Sequence, residues 1–208
     1  MKADKLFIGG GYIRATIAGE RVSDFDLFGS DKAQIENSAY RLCAERKAKL
    51  HKTDNAITLL SPPRTPVQFI TKWVFAEPEK LIESFDFTVC QAVIWFNGDN
   101  LDNLVSDSFY ADLAAKRLVY TSPVREEAAG GSLMRVIKYL GRGYNIHPGS
   151  LGAVIAQLMQ HVHTHENNQG LTSDKITLAK IITGLLREVD PLLIVDGVEC
   201  IDAVVEHA

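Results

Sequence analysis

The sequence has few cysteines, no long apolar run and no excess of basic residues, and each absence excludes a class of protein. Three cysteines among 208 residues do not form a disulfide framework, so we expect a reducing compartment. No apolar run approaches the roughly 20 residues of a membrane-spanning helix, and we therefore expect a soluble, cytoplasmic protein without a membrane partner. The net charge of −4 disfavours a protein that holds a long nucleic acid by its phosphates.

The composition is otherwise ordinary, and 46% apolar residues are sufficient for a buried core. Apolar spacing predicts strands at 6–8, 24–28, 56–60, 67–70 and 85–96, and helices at 12–17, 31–50 and 78–84. After a turn at 98–100, helical spacing dominates, at 107–117, 133–140, 150–161 and 173–189. We therefore predict an α/β (α+β) fold in which 1–105 forms a head with a small mixed sheet and 106–208 forms a helical region.

Two aspartates alternate with apolar residues in the second predicted strand. Successive side chains of a strand point to opposite faces, so Asp24 and Asp26 share one face while Phe25 and Leu27 point into the core. Two such carboxylates suit two Mg²⁺ ions about 3.5–4 Å apart, which activate a hydroxyl and neutralise a leaving pyrophosphate. Mn²⁺ accepts the same oxygen ligands. An isolated pair is more often a solvated strand edge or turn, so the surrounding sequence decides.

Three consecutive glycines, Gly9, Gly10 and Gly11, separate the first predicted strand from the first predicted helix. Because glycine has no β-carbon, backbone amides there can approach phosphate oxygens, and the positive end of the following helix adds to the attraction. Arg14, in the first helical turn, can pair with a phosphate through its guanidinium group. A glycine cluster alone indicates only a turn, but these residues before an aspartate pair favour a site for a nucleoside triphosphate such as ATP.

The same residues resemble a known signature. The run from Gly10 to Arg14, then Gly19, then Asp24 to Leu27, is similar to the first motif of the DNA polymerase β-like nucleotidyltransferase superfamily. Within it, the greatest similarity is to the head domain of class II tRNA CCA-adding enzymes and bacterial poly(A) polymerases. The resemblance extends over Leu6 to Ile155. It implies a polymerase β-like head followed by a helical neck and C-terminal helices.

Two later segments extend the resemblance. Asp86 to Ala92 is similar to the family's motif near the nucleotide's sugar, which implies that Asp86 and Thr88 belong to the site. Asp86 would either lie near the ribose or act as a third carboxylate that orients or deprotonates the acceptor hydroxyl, and on a strand Thr88 would face the same side. The neck helix implies nucleotide contacts by Arg135 and Lys138, which share a helix face; the alternative is a solvated face.

The chain departs from the family's pattern at several positions. Ala15 stands where the family has an aspartate, Ser84 and Phe85 replace two arginines, and Gly131-Ser132 replace the Glu-Asp of the neck motif. In the family, the aspartate of that neck motif helps to read the base. We therefore carry over the nucleotide chemistry from the resemblance and not the tRNA substrate.

The sequence thus predicts a metal-dependent nucleotidyltransferase that moves a nucleoside monophosphate from a triphosphate to an acceptor and releases pyrophosphate. The acceptor stays open among an RNA 3′ end (a role in RNA processing), a protein and a small molecule. A partner protein or a second copy of the chain would supply further binding surface. The alternative is a non-catalytic nucleotide-binding sensor on the same fold, and a third hypothesis is a structural protein with an inactive site. Magnesium-dependent pyrophosphate release separates the enzyme from both.

Overall fold

The computed structural model describes residues 6–123, 130–165 and 175–187. The contact pattern divides the chain into two compact units, Met1–Ala115 and Lys116–Ala208. The boundary expected from the sequence, after residue 105, lies earlier in the chain. Between the two boundaries lies a helix of the first unit, Phe109–Ala114.

The first unit is built around one mixed sheet. Its elements are β1 (Phe7–Gly9), α1 (Gly11–Ala18), β2 (Phe25–Phe28), α2 (Lys32–Arg46), β3 (Lys49–Lys52), β4 (Ala56–Leu60), β5 (Val67–Ile70), α3 (Pro78–Glu83), a 3-10 turn (Thr88–Cys90), β6 (Ala92–Asn97), β7 (Asn100–Val105) and α4 (Phe109–Ala114). The seven strands lie in the order β3-β4-β5-β2-β1-β6-β7. β2 and β5 pair in parallel, whereas the other neighbours pair antiparallel. The predicted α/β fold with a mixed sheet is confirmed.

One face of this sheet carries the main core of the first unit. The buried sheet residues of this core are all apolar, namely Leu6, Ile8, Leu27, Ile57, Leu59, Val67 and Phe69. Ile35 and Ala39 of α2 pack against them, and Phe25 is partly buried in the same cluster. The prediction that Phe25 and Leu27 point into the core is therefore confirmed. Because side chains alternate along a strand, Asp26 lies on the opposite face.

The predicted helix at 31–50 is shorter than expected. It starts correctly, since the Asp31 carboxylate accepts a hydrogen bond from the Gln34 backbone N–H at 2.9 Å and caps α2. It ends at Arg46, because Lys47 adopts a left-handed conformation with φ 50°. The chain then continues as β3, which pairs with β4 at the edge of the sheet. The sequence-based prediction missed this strand because its charged side chains do not alternate with apolar ones.

The predicted single strand at 85–96 is wrong in its first half. Residues Thr88–Cys90 form a 3-10 turn in which the Cys90 N–H donates to the Phe87 carbonyl at 2.8 Å. The strand itself begins at Ala92. Asp86 and Thr88 therefore do not alternate along one strand, and the argument that they face the same side for that reason fails. The apolar and β-branched residues of this segment are buried in a turn instead of a strand.

The segment after Asn97 contains a strand that the sequence reading missed. Gly98, at φ 61°, turns the chain, and β7 then pairs antiparallel with β6 along its whole length. The helix predicted at 107–117 is reduced to α4. It stops there because Lys116 takes a positive φ of 47° and Arg117 enters a strand.

The second unit is mainly helical, as predicted. Its elements are β8 (Arg117–Leu118), α5 (Gly131–Gly141), β9 (Asn145–Ile146), α6 (Pro148–His165) and α7 (Lys175–Arg187). Leu158 of α6 packs with Leu133, Leu178 and Ile182. The short parallel pair β8–β9 was not predicted, and residues 173–174 and 188–189 of the predicted last helix lie outside the described residues. No helix in the described ranges is long and apolar enough to cross a membrane.

Candidate nucleotide-binding site

Asp24 and Asp26 lie where β1 ends and α1 begins. Asp26 is directly opposite Gly9 of β1 on one side and opposite Gln68 of β5 on the other. Asp24 immediately precedes β2, and its carboxylate accepts a hydrogen bond from the Ser23 hydroxyl at 2.8 Å. Both aspartates are half-buried. The pairing of β1 with β2 thus brings the aspartate pair and the glycine segment together, as the sequence predicted.

The start of α1 has the properties of an anion-binding helix terminus. Gly10 precedes the helix at φ 73°, and among the described residues no side chain caps this terminus. The first turn of a helix has N–H groups without intrahelical partners and a positive partial charge. Its sequence contains no acidic residue that would compensate that charge. The space where a β-carbon of Gly11 would project is open to at least 4 Å, so a ligand can reach the backbone there.

Gly9 and Gly10 are glycines for a second, structural reason. A β-carbon at Gly9 would come within 2.9 Å of Phe85 Cζ, and one at Gly10 within 3.2 Å of Phe85 Cε1. The Gly10 N–H donates to the Ala92 carbonyl at 3.2 Å and so extends the pairing of β1 with β6 by one residue. Of the three predicted phosphate-binding glycines, Gly11 is therefore the most open, whereas Gly9 and Gly10 make room for the ring of Phe85, which also packs edge-on against Phe28.

Arg14 is buried instead of projecting into solvent. Its exposed fraction is 2%, and its Nη1 lies 2.7 Å from Glu20 Oε2. Glu20 belongs to the loop that leads from α1 to Asp24, and its backbone N–H donates to the Ala15 carbonyl at 2.8 Å. The ion pair therefore ties the loop before Asp24 to α1. A phosphate contact by Arg14 stays a prediction, and the sequence reading gave no role to Glu20.

Asp86 and Thr88 are both buried in the segment between α3 and β6. The Thr88 hydroxyl donates to Asp112 Oδ2 of α4 at 2.6 Å, in a buried contact. Because a hydroxyl has a single hydrogen, Thr88 can meet a sugar only as an acceptor while this bond exists. The nucleotide roles of Asp86 and Thr88 stay predictions. This hydrogen bond joins Asp112 of α4 to the turn at Thr88–Cys90.

Arg135 and Lys138 lie on α5 in the second unit, and both are half-buried. They are separated by three positions on a regular helix, as the sequence predicted. Val136 and Tyr139 supply the buried side of that helix. Nucleotide contact by Arg135 and Lys138 stays a prediction.

The residues present fit magnesium when a triphosphate supplies the other ligands. Within the described ranges, no cluster of three or more His, Cys, Asp or Glu side chains is arranged to hold a metal ion. The acidic ligands available here are therefore Asp26 of β2 and Asp24, which immediately precedes that strand. Mg²⁺ is commonly held by one or two carboxylates together with substrate phosphates and water, so a two-carboxylate donor set suits a metal that arrives with the nucleotide.

Comparison with known proteins places the chain in a family. The family model of the Gabija anti-defense 2 family protein matches residues 1–116, more than half of the chain. The chain belongs to the Gabija anti-defense 2 family. The matched residues include every strand and helix of the first unit, and hence the aspartate pair and the glycine segment.

A curated relative of this Gabija anti-defense 2 family member comes from a phage. The protein named "Gabija anti-defense 2" of Bacillus phage SPbetaL7 is 25% identical over 168 residues, which are 80% of this chain and 40% of the relative. The chain thus spans less than half of the length of the relative it matches.

Solved structures with the same fold are tRNA-processing enzymes. A tRNA-processing enzyme with CTP has a TM-score of 0.55 at 19% identity, over 88% of this chain and 51% of the other. A tRNA nucleotidyltransferase complexed with a primer tRNA and an incoming ATP analogue has a TM-score of 0.56 at 19% identity, over 88% of this chain and 56% of the other. The Thermotoga maritima CCA-adding enzyme complexed with a tRNA has a TM-score of 0.53 at 16% identity, over 90% of this chain and 44% of the other. At these identities the likeness shows the fold alone, and that fold is the one expected from the motifs.

Proposed function

We propose that this chain is a metal-dependent nucleotidyltransferase, which transfers a nucleoside monophosphate from a nucleoside triphosphate to an acceptor. One observation supports the proposal most strongly. Asp26 is directly opposite Gly9, and Gly9 lies two residues before Gly11, where α1 begins without a side-chain cap. The arrangement puts carboxylates for cations beside backbone N–H groups for phosphate oxygens. A magnesium triphosphate needs both kinds of partner at once.

Each group has a distinct task in the proposed reaction. Asp24 and Asp26 would hold two Mg²⁺ ions, and such ions supply charge neutralisation at the phosphates and lower the pKa of a bound hydroxyl. The N–H groups at the start of α1 bind the triphosphate, and Arg14 keeps the loop before Asp24 in place through Glu20. The acceptor oxygen forms a bond to the α-phosphorus, the bond to the β-phosphate bridging oxygen breaks, and pyrophosphate leaves.

The family supports one choice of acceptor. Its name describes an activity against a Gabija defence, and the relative comes from a phage. We therefore propose that the acceptor is a component of that defence, either a protein or a nucleic acid with a free hydroxyl. The other two acceptors, bulk RNA and a small molecule, are outcomes of the same experiment.

A non-catalytic nucleotide-binding protein is the second candidate, and one observation favours it. Arg14, the cation nearest in sequence to the proposed phosphate site, is buried against Glu20. A site that retains its nucleotide without turnover has less need of a cation free to neutralise a leaving pyrophosphate.

The test is transfer of label from each of four α-labelled ribonucleoside triphosphates in the presence of Mg²⁺. Acceptors are total RNA, Gabija components and a small-molecule extract. The proposal expects labelled acceptor and pyrophosphate with the intact chain, and a loss of at least about a thousandfold in the Asp24→Asn, Asp26→Asn double variant. Asp54→Asn, the same substitution at an exposed site, serves as the control. Triphosphate binding without pyrophosphate release would support the sensor instead, and neither binding nor release would support the structural protein.

A further inference from the structure

A row of buried polar side chains continues from Asp26 across the sheet. Asp26 is opposite Gln68 in the parallel pair of β2 and β5, and Gln68 is opposite Thr58 in the antiparallel pair of β5 and β4. Residues paired across strands share a face and lie about 5 Å apart. We call Asp26, Gln68 and Thr58 the polar row.

The polar row is unusual for its burial. Gln68 is 5% exposed and Thr58 2%, and each stands between apolar neighbours in its strand, as in Val67-Gln68-Phe69. Glutamine is mostly exposed in folded proteins, and its burial costs free energy unless its amide has a task. An apolar residue at position 68 would pack equally well against a sheet, so the amide requires an explanation in terms of its neighbour Asp26.

The charge at position 68 sets the charge of the proposed site. Asp26 has the neutral amide residue Gln68 opposite it, and the described ranges contain no cluster of three acidic or other metal-binding side chains. A glutamine side chain has the length of a glutamate but carries both hydrogen-bond donors and an acceptor. It can therefore hold a neighbouring carboxylate in one orientation. A third carboxylate at the same place would repel that carboxylate instead.

We infer that Gln68 is a positioning residue, which holds the Asp26 carboxylate for the metal-bound triphosphate and keeps the site at two negative charges. The inference rests on the proposed function only for its last step, because Gln68 lies opposite Asp26 in the sheet with or without transfer. A site with two acidic ligands binds free cations weakly. It fills when the nucleotide brings its own metal, and Gln68 thereby couples metal binding to nucleotide binding.

The contact is tested by a double-mutant cycle that needs no activity. Urea unfolding is measured for the intact chain, for Gln68→Met, for Asp26→Asn and for the double variant. If the two side chains interact, Gln68→Met changes the unfolding equilibrium constant by a factor that differs about tenfold between the intact chain and the Asp26→Asn variant. Equal effects in both backgrounds would overturn the inference, whatever the chain catalyses.

The metal step is tested by titration with Mn²⁺, alone and with a non-hydrolysable ATP analogue. Gln68→Glu is expected to raise the affinity for Mn²⁺ alone by about tenfold. This is the order of magnitude expected from one more negative charge roughly 5 Å from a dication. Gln68→Met is expected to lower the affinity for Mn²⁺ in the presence of the analogue by about tenfold. Loss of a residue that orients a metal ligand has an effect of this size. Thr71→Val, buried just after β5, is the control and should leave both affinities within about twofold.

The outcomes separate this inference from the proposed function. Coupling in the mutant cycle together with the two expected changes in Mn²⁺ affinity supports Gln68 as a positioning residue, even if no acceptor is ever labelled. Coupling without any Mn²⁺ binding by the intact chain would refute both the metal step and the proposed function. Changes in Mn²⁺ affinity of the same size in Gln68→Met and in Thr71→Val would show a purely structural role and overturn the inference alone.

Discussion

The two faces of the seven-stranded sheet carry different kinds of residue at neighbouring positions. Leu27 and Phe69 lie in register on the face that α2 covers, in a cluster that is apolar throughout its sheet residues. One position earlier on the same two strands, Asp26 and Gln68 lie in register on the other face. The strand pairing that builds the core thus also sets the position of the polar row.

The face that α2 covers is thus apolar at these positions, whereas Asp26 and Gln68 form a polar patch on the other face, next to the buried Phe28 and Ile70. Burial of apolar side chains on the covered face supplies folding free energy in proportion to the area removed from water. Polar side chains contribute little to folding free energy, and their burial costs free energy unless they are hydrogen-bonded. A substitution in the core of the covered face should therefore lower stability and leave nucleotide affinity unchanged.

The largest effect is expected at Phe69. Phe69 is 1% exposed and lies in the centre of the covered face, so Phe69→Ala leaves a cavity and should lower the free energy of unfolding by about 3–5 kcal/mol. Urea unfolding followed by circular dichroism measures the loss. Nucleotide affinity, measured at low temperature where the variant stays folded, should not change. Phe69→Leu, the milder control, should cost less, and a changed affinity in the folded variant would break the division between the faces.

A smaller effect is expected at Gly9, which lies opposite Asp26. Its new β-carbon in Gly9→Ala would lie 2.9 Å from Phe85 Cζ, so the ring must move, at a cost of about 1–3 kcal/mol. Thermal unfolding measures the cost. The Gly9→Ala, Phe85→Leu double variant should recover part of it, because the smaller side chain leaves room. If Gly9→Ala costs as much in the Phe85→Leu variant as in the intact chain, the ring is not the reason for the glycine.

Gly11 provides the matched control for Gly9. Nothing lies within 4 Å of a β-carbon placed at Gly11, and alanine is the better helix former. Gly11→Ala should therefore leave stability unchanged or slightly higher, while the added methyl group obstructs a phosphate at the start of α1. A fall in triphosphate affinity without a fall in stability would sharpen the contrast between the two glycines.

Much of the fold followed from local sequence signals. The strands at Ala56–Leu60 and Val67–Ile70 have the predicted bounds, because β-branched and apolar residues end at turn-forming residues on both sides. The start of α2 followed from Asp31 as the capping residue. Strands β3 and β7 were missed, since one is mostly charged and the other mostly polar, and each forms at an edge of the sheet by pairing with a neighbouring strand.

The placement of the candidate site could be predicted where it depends on sequence spacing and not where it depends on strand register. Asp24, Asp26 and the glycine segment form a short local pattern. Glu20 as the partner of Arg14 and Asp112 as the partner of Thr88 could not be found this way. The second of these pairs joins residues 24 positions apart. Gln68 gave a faint signal as a polar residue in an apolar strand, but only the pairing of β2 with β5 shows its neighbour.

The most direct test of the central claim is a crystal structure with Mn²⁺ and a non-hydrolysable triphosphate analogue, in which anomalous scattering locates the metal. The account predicts two Mn²⁺ peaks about 3.5–4 Å apart, bound by Asp24 and Asp26, with the triphosphate at the start of α1. An analogue bound elsewhere, or Mn²⁺ absent from the aspartate pair while the analogue is present, would contradict it.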